Sequence, residues 1–143
     1  MFRVKVAGVG YLFGRVIRVD LPSGAAPMPG ADLLYIYSEV SADGVPSSTA
    51  LDRNKLLIPP VFTNRLLWAH GYAETIDRPF LSETDVLENH YFWRFNLKTY
   101  VDDHGRQVAD PPPPTGTWGL QSYQNVDDEV SRALGIRLAS EGV

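Results

Sequence analysis

The chain of 143 residues contains no cysteine and only three histidines. Without cysteine it can form no disulfide, cysteine-ligated zinc site or iron–sulfur cluster, and thiol catalysis is excluded. No apolar run approaches the roughly 18–20 residues that cross a membrane. The amino terminus alternates charges with valines and so lacks the unbroken apolar stretch of a secretory signal peptide. These absences predict a soluble cytoplasmic protein with no membrane partner.

The composition is typical of a folded protein, with 44% hydrophobic and 21% charged residues. The length fits one domain, which we expect to span residues 1–143. Acidic residues outnumber basic ones by 17 to 13, and the resulting net charge of −4 weighs against non-specific binding of nucleic acid. The same charge favours a basic partner.

Strand patterns dominate the first forty residues. Residues 2–6 alternate apolar and charged side chains, and residues 11–19 follow a pair of glycines that permit a tight reversal. These two segments are predicted to form an antiparallel hairpin. Residues 33–40 are apolar on both faces, which predicts a third strand in the interior of the sheet.

The middle of the chain contains shorter elements. We predict a short strand at residues 56–58, and a strand, turn and strand over 65–69 and 72–76 around Gly71. Ser82, with an acid three residues later, matches a capping box and predicts one or two helical turns over residues 83–88.

Residues 90–101 form the longest predicted strand. Its alternation assigns one set of side chains to the core: Tyr91, Trp93, Phe95 and Leu97. Trp68 is also expected to be a core residue. A turn at residues 102–105 then allows residues 106–108 to pair back as a hairpin.

Two features end the chain. A run of four prolines within residues 110–115 predicts a stiff spacer after a β-rich body over about residues 1–109. A terminal helical segment is expected at about residues 125–140, with Asn125 as its N-cap and Gly135 able to end the helix; its apolar stripe consists of Val126, Val130, Ala133 and Leu134. The predicted fold is α+β: a mainly antiparallel β-sheet, curved or closed into a partly open barrel, with one short internal helix and a C-terminal helix.

No catalytic pattern is recognisable. The three histidines, His70, His90 and His104, match no metal-ligand spacing, and each is interpreted as structural. Neither Ser82 nor Ser122 follows a nucleophile motif. The glycines at 8, 10 and 14 precede a strand, whereas a dinucleotide loop opens a helix. We therefore predict a protein that is not an enzyme and needs no metal or cofactor.

The stretch from residue 74 to residue 88 is rich in acids, which face only one cation, Arg78. Its carboxylates are Glu74, Asp77, Glu83, Asp85 and Glu88. Two interpretations stay open: a solvated face with acids at helix ends, or a contact surface for a basic partner. These five residues are the candidate partner-binding residues.

The order of the short motifs resembles a bacterial family of antidotes from polymorphic toxin loci, called immunity protein twenty-six. The resembling residues span about 2–108: Tyr11–Ile17, Leu34–Tyr37, Pro60, Trp68, Gly71, Tyr72, Ile76, Pro79–Leu81, Asp85–Val86, Phe92 and Gly105. The proline run has no counterpart in the pattern. The resemblance implies a mainly β, α+β fold and inhibition of a cognate toxin protein by binding. It supplies no catalytic residues and no toxin-contact positions.

A small β-rich module that binds nucleic acid is the alternative interpretation. Its cations and stacking groups would come from the first two strands: Arg3, Lys5, Arg15 and Arg18 with Tyr11 and Phe13.

Overall fold

A computed structural model describes residues 1–78 and 80–138. The fold is α+β, as predicted, with two sheets and two helices. The larger sheet has the order β4-β3-β2-β1-β5 and is built from β1 (Phe2–Val6), β2 (Gly10–Leu21), β3 (Ala31–Ile36), β4 (Val61–Thr63) and β5 (Ala73–Thr75). The smaller has the order β8-β7-β6-β9 and contains β6 (Tyr91–Arg94), β7 (Thr99–Val101), β8 (Gln107–Val108) and β9 (Thr115–Thr117). Among the described strands neither sheet closes into a barrel, so the open curved sheet is the form observed.

The hairpin of β1 and β2 confirms the sequence prediction. Phe2, Val4 and Val6 are buried, and β1 pairs antiparallel with β2 from Phe2 opposite Gly14 to Val6 opposite Gly10. Gly8 and Gly10 both have positive φ, which permits the tight reversal between the strands.

The larger sheet is the middle of three layers, because both of its faces are buried. One face packs against the helices α1 (Leu66–Ala69) and α2 (Tyr123–Leu134), and Leu34 and Ile36 belong to that cluster. The other face packs against the smaller sheet, and Leu33, Tyr35 and Phe92 belong to that second cluster. The interior position predicted for the third strand is therefore confirmed.

The two sheets meet beside β4. The amide of Gln121 donates to the carbonyl oxygen of Phe62 at 2.8 Å. The ring of Phe62 lies 4.6 Å from that of Phe92 and 5.4 Å from that of Trp118. The chain thus passes directly from β9 to the edge of the larger sheet, and the aromatic rings fill the corner.

Two predictions in the middle of the chain are wrong. The predicted strand over residues 65–69 is instead α1 with its N-cap Arg65, since the amide of Ala69 donates to the carbonyl of Arg65 at 3.0 Å and Leu67 is the buried residue of the turn. Residues 56–58 contribute only an isolated bridge at Leu56, and the strand β4 begins after the two prolines. Short apolar runs of this kind are compatible with the repeat of a helix and with that of a strand, and tertiary packing decides which one forms.

The long strand predicted over residues 90–101 is also wrong, because the chain reverses in its middle. The amide of Lys98 donates to the carbonyl of Phe95 at 3.3 Å, and Lys98 has a φ of 50°. Phe95 and Leu97 are 77% and 60% exposed at this turn, whereas Phe92 is buried. Trp93 is half-buried, with its ring 4.8 Å from that of Tyr100. The core-facing side chain of β6 is therefore Phe92, and the predicted assignment of Tyr91 and Trp93 to the core is wrong.

Trp68 is only half-buried and packs edge-on against Phe2, with ring centroids 5.2 Å apart. The hairpin predicted at residues 106–108 is confirmed as β8, which pairs with β7. The proline run lies between β8 and β9. It therefore does not lead directly into the terminal helix.

The terminal helix begins earlier than predicted. Ser122 is its N-cap, accepting a hydrogen bond from the amide of Asn125 at 3.1 Å, so Asn125 lies inside the helix. Val126 and Val130 are buried and Gly135 ends the helix with a φ of 69°, as expected. Ala133 is exposed and does not join the apolar stripe. The predicted helical residues 139 and 140, like Pro79 of the resemblance, lie outside the described residues.

Gly14 tests the packing of the larger sheet. A Cβ atom at this position would lie 2.2 Å from Cζ of Phe2 and 2.7 Å from the carbonyl oxygen of Tyr35. We expect Gly14→Ala to lower the free energy of unfolding by about 1–3 kcal/mol, because the backbone of β3 cannot move away. Urea denaturation measures the change. Gly119→Ala is the control: its Cβ would meet only ordinary contacts at 3.6 Å and beyond, and a loss as large as that of Gly14→Ala would contradict the steric argument.

Candidate functional site

The five candidate acids do not share one environment. Glu74 lies on the edge strand β5, where its carboxylate accepts a hydrogen bond from Nε of Arg3 at 3.0 Å. Asp77 follows β5 and accepts from the amide of Arg78 at 2.7 Å. Glu83 and Glu88 are exposed and lie on either side of Asp85. Only Glu83, Asp85 and Glu88 therefore lie together on one short segment of the chain.

Asp85 has a structural role. It ends a single 3₁₀ turn, Glu83–Asp85, and its carboxylate accepts the amide hydrogen of Ser82 at 2.8 Å, which confirms the predicted capping box. The helical turn is shorter than predicted and does not extend to Glu88. The second oxygen of Asp85 pairs with Nη1 of Arg15 at 3.1 Å. The hydrogen bond from Ser82 and the nearby guanidinium lower the pKa of Asp85, so this carboxylate is held by the protein itself.

Besides the ion pair of Asp85, three backbone groups of residues 80–88 are hydrogen-bonded to side chains elsewhere in the molecule. Buried Arg15 on β2 donates from Nη2 to the carbonyl oxygen of Phe80 at 3.1 Å. Arg53 donates to the carbonyl oxygen of Val86. The hydroxyl of Tyr35 accepts the amide hydrogen of Leu87 at 3.0 Å. A segment with little regular structure is thus fixed by side chains from two strands and a loop.

The outward side of this segment combines an aromatic ring with carboxylates. Phe80 is 90% exposed, although its carbonyl is held by Arg15. Glu83, Thr84 and Glu88 are exposed beside it along the chain. Because the backbone of this segment is already fixed, contact of its exposed side chains with another molecule would order little of the chain.

Glu83 and Glu88 also border one groove, with a volume of about 530 Å³. The apolar part of its lining consists of Ile17, Leu81, Val86 and Leu87. Arg18 contributes to the lining as well, but its charge is paired with Asp103 at 2.7 Å. The groove therefore joins an apolar surface to two carboxylates.

A buried chain of hydrogen bonds lies next to this groove. The hydroxyl of Tyr35 lies 2.5 Å from Nε2 of His90, and Nδ1 of His90 lies 2.6 Å from Oδ2 of Asp103. Asp103 also accepts the backbone amide of His90 at 2.7 Å and Nη1 of Arg18. Tyr35 and Arg18 belong to the larger sheet. His90 directly precedes β6 of the smaller sheet, and Asp103 lies in the turn between β7 and β8. This network therefore joins the two layers.

The polarity of the network follows from its members. The carboxylate of Asp103 can only accept, so Nδ1 of His90 carries a hydrogen. In the neutral imidazole Nε2 is then the acceptor, and the hydroxyl of Tyr35 donates to it. Burial raises the pKa of Tyr35 to about 12, which keeps that hydroxyl protonated. Burial alone would raise the pKa of Asp103, but the hydrogen bonds from His90 and Arg18 outweigh it and lower this pKa well below its usual range.

These groups do not form an accessible nucleophilic site. Tyr35 is 0% and His90 1% exposed, so no substrate reaches the hydroxyl or the imidazole. His70 stacks on Tyr123 with ring centroids 4.4 Å apart, and His104 lies in the turn before β8. Within residues 1–78 and 80–138 no group of three His, Asp or Glu side chains is placed to hold a metal ion. In the same ranges no helix is long and apolar enough to cross a membrane.

Sequence reasoning missed Arg15, Tyr35 and Phe80 as parts of this site. One signal was available: Arg15 alternates with Phe13 and Ile17 on the buried face of β2, where a charge needs a partner. Nothing in the local sequence identifies Phe80 as exposed, since an aromatic residue beside prolines is compatible with burial.

Asp103 provides a test of the network. We expect Asp103→Asn to lower the free energy of unfolding at neutral pH by about 1.5–3 kcal/mol, since it removes charge-assisted hydrogen bonds to His90 and Arg18. Chemical denaturation measures this loss. The exposed Asp20→Asn is the control, expected within about 0.5 kcal/mol of the parent protein. Equal stability of the two variants would contradict the role of the network.

The same variant predicts a pH dependence. A carboxylate whose pKa is lower in the folded state stabilises that state above the unfolded pKa of about 3.9, and the contribution disappears as the pH falls through the folded pKa. The lowered pKa of Asp103 therefore predicts that the difference between the parent protein and Asp103→Asn is constant near neutral pH and narrows below about pH 4. Unfolding curves between neutral and acidic pH measure it, and a difference that widened on acidification would show the opposite sign.

Comparison with known proteins adds no assignment. No family model matches the sequence, and neither the curated proteins nor the solved structures contain a match. The family resemblance of the motif order stays a prediction.

Proposed function

We propose that this protein is an immunity protein, which binds one cognate antibacterial toxin domain in the cytoplasm and blocks its active site or substrate groove. Two independent considerations support the proposal. The order of the aromatic and glycine motifs resembles an immunity family. The segment 80–88 has the properties of a binding surface, and the proposed activity needs binding alone, without catalysis.

The exposed ring of Phe80 is the observation that carries the proposal. Aromatic residues dominate the binding energy of many interfaces, and burying a ring that is 90% exposed removes a large apolar area from water. The backbone of Phe80 is already fixed by Arg15, so binding orders little of the chain. A fixed aromatic anchor favours tight recognition of one partner.

The surrounding charge favours a basic toxin surface. Glu83 and Glu88 are exposed close to the anchor along the chain, and Asp77 precedes it. Carboxylates around an anchor accelerate encounter with a basic partner and discourage acidic ones. Asp85 is excluded from this role, because Arg15 and Ser82 already bind its carboxylate.

The alternative as a nucleic-acid module has little support from the same geometry. Arg15 is buried in its ion pair with Asp85, and Arg18 is paired with Asp103. Arg3 pairs with Glu74 and lies over the ring of Tyr11, 4.9 Å from its centroid. Phe13 is buried. Three of the four proposed cations and both stacking groups are therefore engaged within the protein.

The direct test uses the protein encoded by a neighbouring gene, which the proposal expects to be a large secreted protein with a variable C-terminal toxin domain. Its C-terminal domain is expressed in cells with and without the protein, and the two chains are then purified together. Protection of the cells together with a stable complex is the expected result. If the purified proteins neither bind nor protect, the immunity proposal is wrong.

Two exposed phenylalanines give a matched pair of variants. Phe80→Ala is expected to weaken toxin binding by about thirtyfold or more, the loss typical of an interface anchor. Phe95→Ala removes a similarly exposed ring from the turn between β6 and β7 and is expected to leave the affinity unchanged. Calorimetric titration measures both. A larger loss for Phe95→Ala would move the interface to that turn.

A further inference from the structure

We infer that the groove beside Phe80 is a receptor for one arginine side chain of the protein partner. This inference rests on the proposed function for the identity of the partner, but the recognition of arginine can be tested without it. The groove is distinct from Phe80 itself, which does not belong to its lining.

The apolar part of the groove suits the aliphatic stem of arginine. Ile17, Leu81, Val86 and Leu87 line it, and Ile17 is buried. The three methylene groups of an arginine side chain can cover such a surface while the charged head stays at the polar edge. A bare metal ion would make no use of these side chains.

The polar edge supplies a matching charge. Glu83 and Glu88 are exposed, and among the described residues neither forms an ion pair. The cation in the lining, Arg18, is compensated by Asp103 at 2.7 Å, so the two glutamates leave the groove with negative charge. A guanidinium is planar and offers five donors, and it therefore satisfies two carboxylates better than the compact ammonium of lysine.

The groove also keeps its shape before a ligand arrives. Leu87 is held through its amide by Tyr35 and Val86 through its carbonyl by Arg53. The 3₁₀ turn Glu83–Asp85 directly precedes Val86, and its last residue, Asp85, forms an ion pair with Arg15. An entering side chain thus finds its lining already in place, which reduces the entropy lost on binding.

The test uses a short peptide, acetyl-Gly-Arg-Gly-amide, and follows the backbone amides of the protein by NMR. Saturable shifts are expected at Leu81, Val86 and Leu87, with a millimolar dissociation constant at low salt. The peptide with citrulline in place of arginine, which has nearly the same shape without the charge, is expected not to bind. The peptide with lysine is expected to bind more weakly than the arginine peptide.

Two double variants with the same change of charge provide the control. Glu83→Gln with Glu88→Gln is expected to weaken the arginine peptide about tenfold or more, the loss expected for charge-assisted hydrogen bonds. Asp20→Asn with Asp110→Asn removes two exposed carboxylates that do not line the groove and is expected to change the affinity less than twofold. Equal losses of affinity in both variants would show that only the net charge of the protein matters, and would overturn the inference.

Other outcomes also decide the question. Equal binding of citrulline, tighter binding of lysine, or no saturable shift at the groove would each overturn it. None of these results depends on the toxin, so the immunity proposal would stand or fall by its own experiment. Where the toxin complex forms, the Glu83→Gln and Glu88→Gln variant should slow its association and flatten its salt dependence.

Discussion

The hydrogen bonds to the carboxylate of Asp103 are the interaction on which the polar contacts between the layers depend. This carboxylate accepts hydrogen bonds from the imidazole and the backbone of His90 and from the guanidinium of Arg18. The imidazole is thereby oriented so that Nε2 receives the hydroxyl of Tyr35. A strongly acidic carboxylate, a buried imidazole and a buried phenol thus form one satisfied chain between the sheets, where an unpaired polar group would be costly.

The consequences of this chain reach the surface. The hydroxyl of Tyr35 donates a hydrogen bond to His90, and its oxygen accepts a second one from the amide of Leu87. Arg15 and Arg53 hold the same segment through Phe80, Asp85 and Val86. Two buried side chains, Arg15 and Tyr35, and the half-buried Arg53 of a loop therefore hold an irregular surface segment. The exposed side chains of this segment include those of Phe80, Glu83 and Glu88.

Much of the fold could be predicted because local signals agreed with it. The alternation of Phe2, Val4 and Val6, the glycine reversal and the two-sided burial of β3 were correct, as were the capping box at Ser82 and the end of α2 at Gly135. The failures share one cause. The apolar runs at residues 65–69 and 91–97 are compatible with more than one structure, and their outcome depends on distant partners such as Phe2, Phe62 and Tyr100. The acidic segment was found from its composition, but composition could not separate Asp85, which is bound by Arg15, from Glu83 and Glu88.

The sequence by itself determined the α+β class, the strands at the amino terminus, the absence of cysteine chemistry and the concentration of acids between residues 74 and 88. These properties follow from local periodicity, turn residues and composition, which act over a few positions. Only the tertiary structure decided that Asp103, His90, Tyr35 and Arg18 meet, that Arg15 is buried against Asp85, and that Phe80 remains outside. Those contacts join residues up to 85 positions apart in the chain. They depend on how two sheets pack, which no local pattern encodes.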